Sequence, residues 1–346
     1  MNFAIVGCGM IAGFHARALQ DVPGAHLTAL VSRNLANARK LADSVQAPCD
    51  CYADLAPVLA RKDVDAVIVT TPSGAHMEPA VAAARVGKHV VVEKPLEVTL
   101  ERCDRIIEAC EAAGVQLCTI FPSRFGDANV ALKKAVTEGK FGRLTLGETT
   151  CKWWRPQSYY DEGGWKGTRA LDGGGALMNQ AIHNVDLLSW IMGPVTHISG
   201  LTATLAHERI EVEDTAVACL RFASGALGVI QATTSVYPGL PKTIAVHGDR
   251  GTAVIEQDDI LRWDFTPETE ADRDVRQRFA QRTGASGGSS NPAAISHVGH
   301  ARQLADFVRA IQTGIAPLVD GREGRRAVEV IRAIYRAAET GQTVQL

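Results

Sequence analysis

The chain has 346 residues, 46% of them hydrophobic and 21% charged, and a formal net charge of -2 at pH 7. Single cores stop growing near roughly 250–300 residues, so two domains are expected. The near-neutral balance, without a long block of like charge, speaks against a nucleic-acid or membrane-surface partner.

The first apolar run, Phe3–Val6, reads as a strand that meets glycines at once, not as a signal peptide. Gly7-x-Gly9-x-x-Ala12 follows directly and opens a helix over Ile11–Leu19. The first glycine permits a tight turn, the second lets backbone approach a pyrophosphate, and Ala12 allows close helix packing. Gly7, Gly9, Met10 and Ile11 are therefore candidate dinucleotide contacts. The second strand, Leu27–Ser32, ends in Ser32 and Arg33 with no carboxylate for a ribose 2′-hydroxyl. A hydroxyl and a guanidinium suit a 2′-phosphate, which favours NADP(H), with NAD(H) as the other possibility.

A helix over Leu35–Asp43 and a short strand near Cys49–Tyr52 precede the fourth strand, Ala66–Thr70. Its carboxyl end carries Thr70, Thr71 and Pro72, placed to line the cofactor, and then His76, which either contacts cofactor or serves the local structure. After a helix over Ala75–Val86, the strand His89–Val92 ends in Glu93-Lys94-Pro95. Two opposite charges have no structural purpose at the end of a buried strand, so Glu93 and Lys94 are expected to face the nicotinamide. A lysine there passes a proton as hydride moves, once burial lowers its pKa from about 10.4. A helix over Leu100–Ala113 and a sixth strand, Val115–Ile120, complete a doubly wound parallel sheet over residues 1–121.

Residues 122–346 read as an α+β domain with a large, mostly antiparallel open sheet. Arg124 is a crevice candidate, and a helix spans Ala128–Glu138. The segment from Cys151 to Gly175 holds three of the five tryptophans and two of the five tyrosines. Its Trp153, Arg155, Tyr160, Trp165 and Lys166 suit a sugar ring carrying a carboxylate or phosphate, although Trp153 or Trp154 is equally readable as core. Gly173–Gly175 then open a helix to Met192 on which Asn179 and His183 share a face, with Asp186 placed to orient His183 or to cap local structure. Strands follow at Ile198–Leu205, Ala216–Phe222, Leu227–Thr234, Thr243–Gly248 and Gly251–Glu256, the last two joined by a hairpin turn. Residues 267–297 are polar and weakly patterned and read as a long loop or lid. Helices over 299–313 and 322–339 end the chain. The open sheet is expected to pack on another subunit, giving a homodimer or homotetramer.

Eight cysteines lie scattered without a C-x-x-C pair and read as buried thiols of a cytoplasmic protein, with no metal site. No apolar run is long enough to span a membrane.

Together, G-x-G-x-x-A, T-P-x-x-x-H, E-K-P and a glycine-rich helix with H-x-x-D resemble the glucose–fructose oxidoreductase and inositol dehydrogenase (Gfo/Idh/MocA) family, from end to end. The resemblance implies that Lys94 is catalytic. Many members of that family carry Asp where this chain has Asn179, so no second charge supports His183 here. Asn179 reads as a substrate hydrogen-bonder and the mark of a subtype. The expected activity is hydride transfer between NAD(P) and a secondary alcohol or ketone of a sugar or polyol, with Lys94, His183 and Asn179 meeting over the nicotinamide. The alternatives are a non-carbohydrate substrate such as a dihydrodiol or imine, or a cofactor-binding sensor without turnover.

Overall fold

Short runs such as AVIV and HVVV have no polar face to offer water, so they pair in a sheet covered on both sides. The computed structural model describes residues 1–162, 164–280 and 296–346. In it, β1 (Asn2–Val6), β2 (His26–Val31), β3 (Asp50–Tyr52), β4 (Ala66–Val69), β5 (His89–Val92) and β6 (Leu117–Thr119) form one parallel sheet in the order β3-β2-β1-β4-β5-β6. The crossovers contain α1 (Met10–Gln20), α2 (Leu35–Val45), α3 (Ala56–Leu59), α4 (Met77–Arg85) and α5 (Leu100–Ala113). The strand order reverses between β1 and β4, the position where doubly wound sheets take ligands at the carboxyl edge. Asn34 caps α2 and Thr99 caps α5, each accepting a backbone N–H from the first turn.

The second sheet follows α6 (Asp127–Thr137). Its strands are β7 (Leu144–Lys152), then, after α7 (Gln157–Asp161) and α8 (Ile182–Met192), β8 (Val195–Ala203), β9 (Thr215–Phe222), β10 (Leu227–Thr233), β11 (Thr243–Gly248), β12 (Gly251–Glu256) and β13 (Asp259–Phe265). After α9 (Glu270–Arg278), α10 (Val298–Thr313) and α11 (Gly321–Thr340), a final β14 (Val344–Gln345) joins the same sheet. The order is β13-β12-β11-β7-β10-β9-β8-β14, and every pairing is antiparallel except that of β7 with β10. Strand β9 alternates strictly: Ala216, Ala218, Leu220 and Phe222 are buried, while Val217, Cys219 and Arg221 are exposed.

Two compact units result, each assembled from separated segments. The first takes Met1–Pro122, Ala170–Gly173 and Ser296–Val328, and the second takes the described parts of Ser123–Arg169 and Gly174–Ile295 together with Glu329–Leu346. Helix α10 belongs to the first because its apolar stripe, Leu304, Phe307 and Val308, enters the core that holds Phe3, Ile5 and Leu30.

The segment 267–297, expected as a loop, begins as helix α9. No apolar stripe announces it. What holds it is Asp272, which is buried and accepts from the Thr269 N–H at 2.9 Å, from Lys140 Nζ at 2.5 Å and from the Trp263 indole at 3.3 Å. Residues 281–295 of that segment lie outside the described residues. Strands β7, β13 and β14 add to those expected from the sequence. All eight cysteines are free; against the expected burial, Cys8, Cys49 and Cys51 are half-buried and Cys219 is exposed. Among the described residues, no helix is long and apolar enough to cross a membrane.

Candidate active site

The turn after β1 admits only glycine at its first position. Gly7 has φ +94°, and a Cβ there would lie 2.8 Å from the Thr70 carbonyl carbon and oxygen. The Thr70 hydroxyl donates to the Gly7 carbonyl at 2.6 Å, locking the end of β4 to this turn. Helix α1 then starts at Gly9 without a side-chain cap, and a Cβ on Gly9 would meet nothing within 4 Å. Met10 is exposed and Ile11 half-buried. The first-turn amides of an uncapped helix, fronted by open space, fit a dinucleotide pyrophosphate. At the end of β2, Ser32 is half-buried and Arg33 exposed, with no carboxylate at positions 32–34.

At the neighbouring strand ends, the Thr71 hydroxyl donates to the Ala75 carbonyl at 2.8 Å, and Thr71 and Pro72 stay half-buried. His76 is 1% exposed, so the structural alternative holds for it. Its Nδ1 lies 2.9 Å from the Pro95 carbonyl and its Nε2 2.9 Å from that of Thr71. The ring thus ties the turn after β4 to the turn after β5. Burial pulls its pKa down, against the upward pull of buried Glu97 and of the two carbonyls.

Glu93 is 5% exposed and faces inward rather than toward a cofactor, which corrects its expected role. Its Oε1 bonds His15 Nε2 of α1 at 2.8 Å, and its Oε2 accepts the Lys94 N–H at 3.0 Å. Burial alone would raise this carboxyl. The His15 hydrogen bond, with the charges of His15, His300 and Lys94, instead brings it down to about 2. Lys94 itself is half-buried, and its peptide bond to Pro95 is cis.

In the second unit, the glycine turn leads into a π-helical turn, Ala176–Ala181, and then α8. Gly175 can have no side chain because the Glu213 backbone carbonyl occupies that space. Buried Glu213 accepts from the amides of Gly175 at 3.0 Å and Leu177 at 2.8 Å and from the Tyr335 hydroxyl at 2.9 Å, anchoring the start of the helix. From Ala176 to Met192 every residue is buried except Asn179, His183 and Trp190, which are half-buried and fall on one stripe. The expected shared face of Asn179 and His183 therefore exists. A π turn there has the local widening common at functional sites.

Around Asn179 runs a connected polar and aromatic cluster. Gln180 Nε2 donates to Asn179 Oδ1 at 2.9 Å and to the Tyr159 hydroxyl at 3.0 Å, while Gln180 Oε1 accepts from Arg155 at 3.0 Å. Arg155 departs from its expected substrate role: it is 2% exposed, bonded to Gln180 and stacked on Trp153 and Tyr159, while Lys166 Nζ sits 3.7 Å over the Tyr159 ring. Trp165 and Lys166 are half-buried. Trp153 and Tyr160 are core: Trp153 is 6% exposed, and the Tyr160 hydroxyl is 2.9 Å from that of Thr234. Arg124 departs from its expected crevice role. It is 2% exposed and forks onto both oxygens of Asp186, at 2.9 and 2.6 Å. Asp186 thereby serves Arg124.

His15, Gln180, Glu213 and His300 carry weight that the sequence reading did not give them. Gln180 was signalled by its place beside Asn179 in "MNQAIH"; the other three meet their partners only in three dimensions.

Comparison with known proteins agrees with this architecture. Residues 1–121 match a profile described as "Oxidoreductase family, NAD-binding Rossmann fold", and residues 129–254 match the GFO/IDH/MocA C-terminal domain. A myo-inositol 2-dehydrogenase of Thermotoga maritima is 29% identical over 100% of this chain and 98% of its own length. The WlbA dehydrogenase of Bordetella pertussis, solved with NADH and UDP-GlcNAcA, is 34% identical with a TM-score of 0.87, covering 100% of this chain and 98% of that one. Its counterpart from Chromobacterium violaceum, with the same two ligands, is also 34% identical, with a TM-score of 0.88 over 100% and 96%.

The Arg124–Asp186 pair gives a direct test of structural duty. Asp186→Ala removes both hydrogen bonds of the buried Arg124 fork and is expected to cost about 3–5 kcal/mol in urea unfolding. The Arg124→Met, Asp186→Leu double variant is expected to recover most of that loss. A single-variant cost below about 1 kcal/mol would place the pair outside the stabilising core.

Proposed function

The chain belongs to the GFO/IDH/MocA oxidoreductase family, and from that premise we propose that it oxidises a secondary hydroxyl of a sugar bearing an acidic group, or reduces the matching ketone. The observation that carries the substrate class is the cluster around Asn179, where half-buried Lys166 sits over the aromatic face of Tyr159, with buried Arg155 stacked on the same ring. Flat rings pack the C–H face of a sugar, and the Lys166 ammonium suits a carboxylate or pyrophosphate. The UDP-GlcNAcA held by the two WlbA dehydrogenases supports an acidic nucleotide sugar over a neutral polyol.

Lys94 is the group we assign to proton transfer at the reacting oxygen, with His183 and Asn179 as further hydrogen-bond partners of that oxygen or its neighbours. Gly7, Gly9 and the first turn of α1 hold the dinucleotide, whose nicotinamide supplies the hydride acceptor when bound. Thr70, Thr71 and Pro72 border it. Ser32 and Arg33, with no acid beside them, support NADP(H) as the preferred form, even though both WlbA structures contain NADH.

The second sheet supports self-association. Leu201 and Val217 are directly paired across β8 and β9, and with Leu227 of β10 all three are exposed. A homodimer or homotetramer would cover them.

Three outcomes are expected. Lys94→Met lowers kcat/KM for an acidic sugar by about 10²–10⁴-fold while cofactor still binds, read from the absorbance of reduced nicotinamide. Turnover at the parent rate in that variant would end the dehydrogenase assignment of Lys94. Arg33→Ala weakens NADP⁺ binding by about tenfold and leaves NAD⁺ unchanged in titration calorimetry; equal loss for both would reverse the cofactor preference. Light scattering at micromolar concentration gives at least twice the 36.9 kDa chain mass, and a monomer would exclude the sheet interface.

A further inference from the structure

Beside Lys94 lies a buried cluster that hydride transfer does not itself require. Three elements supply it: His15 from within α1, Glu93 from the end of β5, and His300 from the first turn of α10. All three are at most 5% exposed. An ionised carboxylate is tolerated at such a place only when donors meet it. Glu93 has His15 Nε2 at 2.8 Å on one oxygen and the Lys94 amide at 3.0 Å on the other.

The protonation of the cluster follows from its hydrogen bonds. The Nδ1 atoms of His15 and His300 are buried without a partner among the described residues. His15 therefore reaches the carboxylate through Nε2, the donor of the 2.8 Å bond to Glu93 Oε1. His300 Nε2 stands 3.8 Å from Glu93 Oε1, too far to bond, and burial with the neighbouring His15 brings its pKa to about 4. Burial pushes the Cys118 thiol up and pulls the His76 imidazole down, the latter against the two carbonyls that flank its ring. The Glu93 carboxylate stands next to Lys94, whose backbone N–H it accepts.

The ligand atoms of the three side chains fall within 4.8 Å of one another, which by type would suit a cation. A metal-bound imidazole normally donates its second nitrogen to an acceptor, and neither ring has one here. Direct hydrogen bonding accounts for the arrangement better.

We infer that His15 is a positioning residue for Lys94: by donating to Glu93 it fixes a buried anion beside the lysine, and that anion keeps the lysine protonated. The inference rests on Lys94 as the proton-transferring group. Because His15 rides on the helix that starts at the glycine turn, one rigid element supports both the dinucleotide site and the lysine.

The test reads the Lys94 pKa directly, by NMR of the ¹³C-dimethylated protein, with the resonance assigned through its loss in Lys94→Arg. An adjacent anion stabilises the ammonium, so removing the anion lowers the lysine pKa. Glu93→Gln, which retains an acceptor for the Lys94 amide, is expected to lower it by about one unit. His15→Phe should move it in the same direction, and His15→Gln, whose amide still donates, should restore the parent value. Wherever turnover needs the neutral amine, the acid limb of the kcat profile shifts to lower pH by the same amount. An unchanged Lys94 pKa in Glu93→Gln would overturn the inference, as would stoichiometric Zn²⁺ retained by the parent in dialysis and lost from His15→Phe. If His15→Phe fails to fold, Glu93→Gln and His15→Gln decide the matter. Since the NMR reading requires no turnover, its failure is separable from a failure of Lys94→Met to lose activity.

Discussion

A parallel sheet buried on both faces leaves its polar groups only one place to emerge, the carboxyl edge. Strands β4 and β5 are almost wholly buried along their length, so every charged or hydroxylic residue they bring to the site comes immediately after the last apolar position. That constraint explains why Gly7, Thr70 and Lys94, scattered over nearly ninety positions of sequence, belong to one rim. It also requires a second set of contacts to hold the rim in shape. The Thr70 hydroxyl on Gly7, His76 between Thr71 and Pro95, and Glu93 between His15 and Lys94 are those contacts. None faces solvent, and each joins two turns that would otherwise be free to move separately.

The same edge explains why chemistry type was readable from the sequence while direction was not. A charge after an apolar run marks the rim, and both charges of E-K-P reach it. Which of them turns inward depends on His15, seventy-eight positions earlier, and on His300, more than two hundred positions later. Arg124 and Tyr160 were misplaced for a related reason. Residue type makes them plausible ligands for an acidic sugar, but Asp186 and Thr234 satisfy their polar atoms inside the fold. His76 left both possibilities open in the sequence, and only the two carbonyls around its ring select the structural one.

Elements with an apolar period were legible nearly to the residue, as for β5, α5 and β11. Those held by polar contacts were not. Helix α9 is anchored by the carboxylate of Asp272 rather than by a hydrophobic stripe, and β7 mixes threonines with Glu148 and Gly147 on a strand half open to solvent. Helix α10 was legible as a helix, but its place in the first core was not, because Phe307 meets Phe3 across some three hundred residues. The spacing of Asn179 and His183 implied one face on an ordinary helix. The same face survives a π turn, because the turn lies between two anchored ends, Glu213 on one side and Asp186 on the other.

An amide at position 179 has consequences that extend beyond that residue. Asn179 Oδ1 is oriented by Gln180, which is itself held between Tyr159 and Arg155, so the side chain is fixed without carrying charge. A carboxylate in the same place would sit within reach of the field of the buried Arg155 guanidinium. With asparagine there, His183 gains no basicity from a charge at position 179.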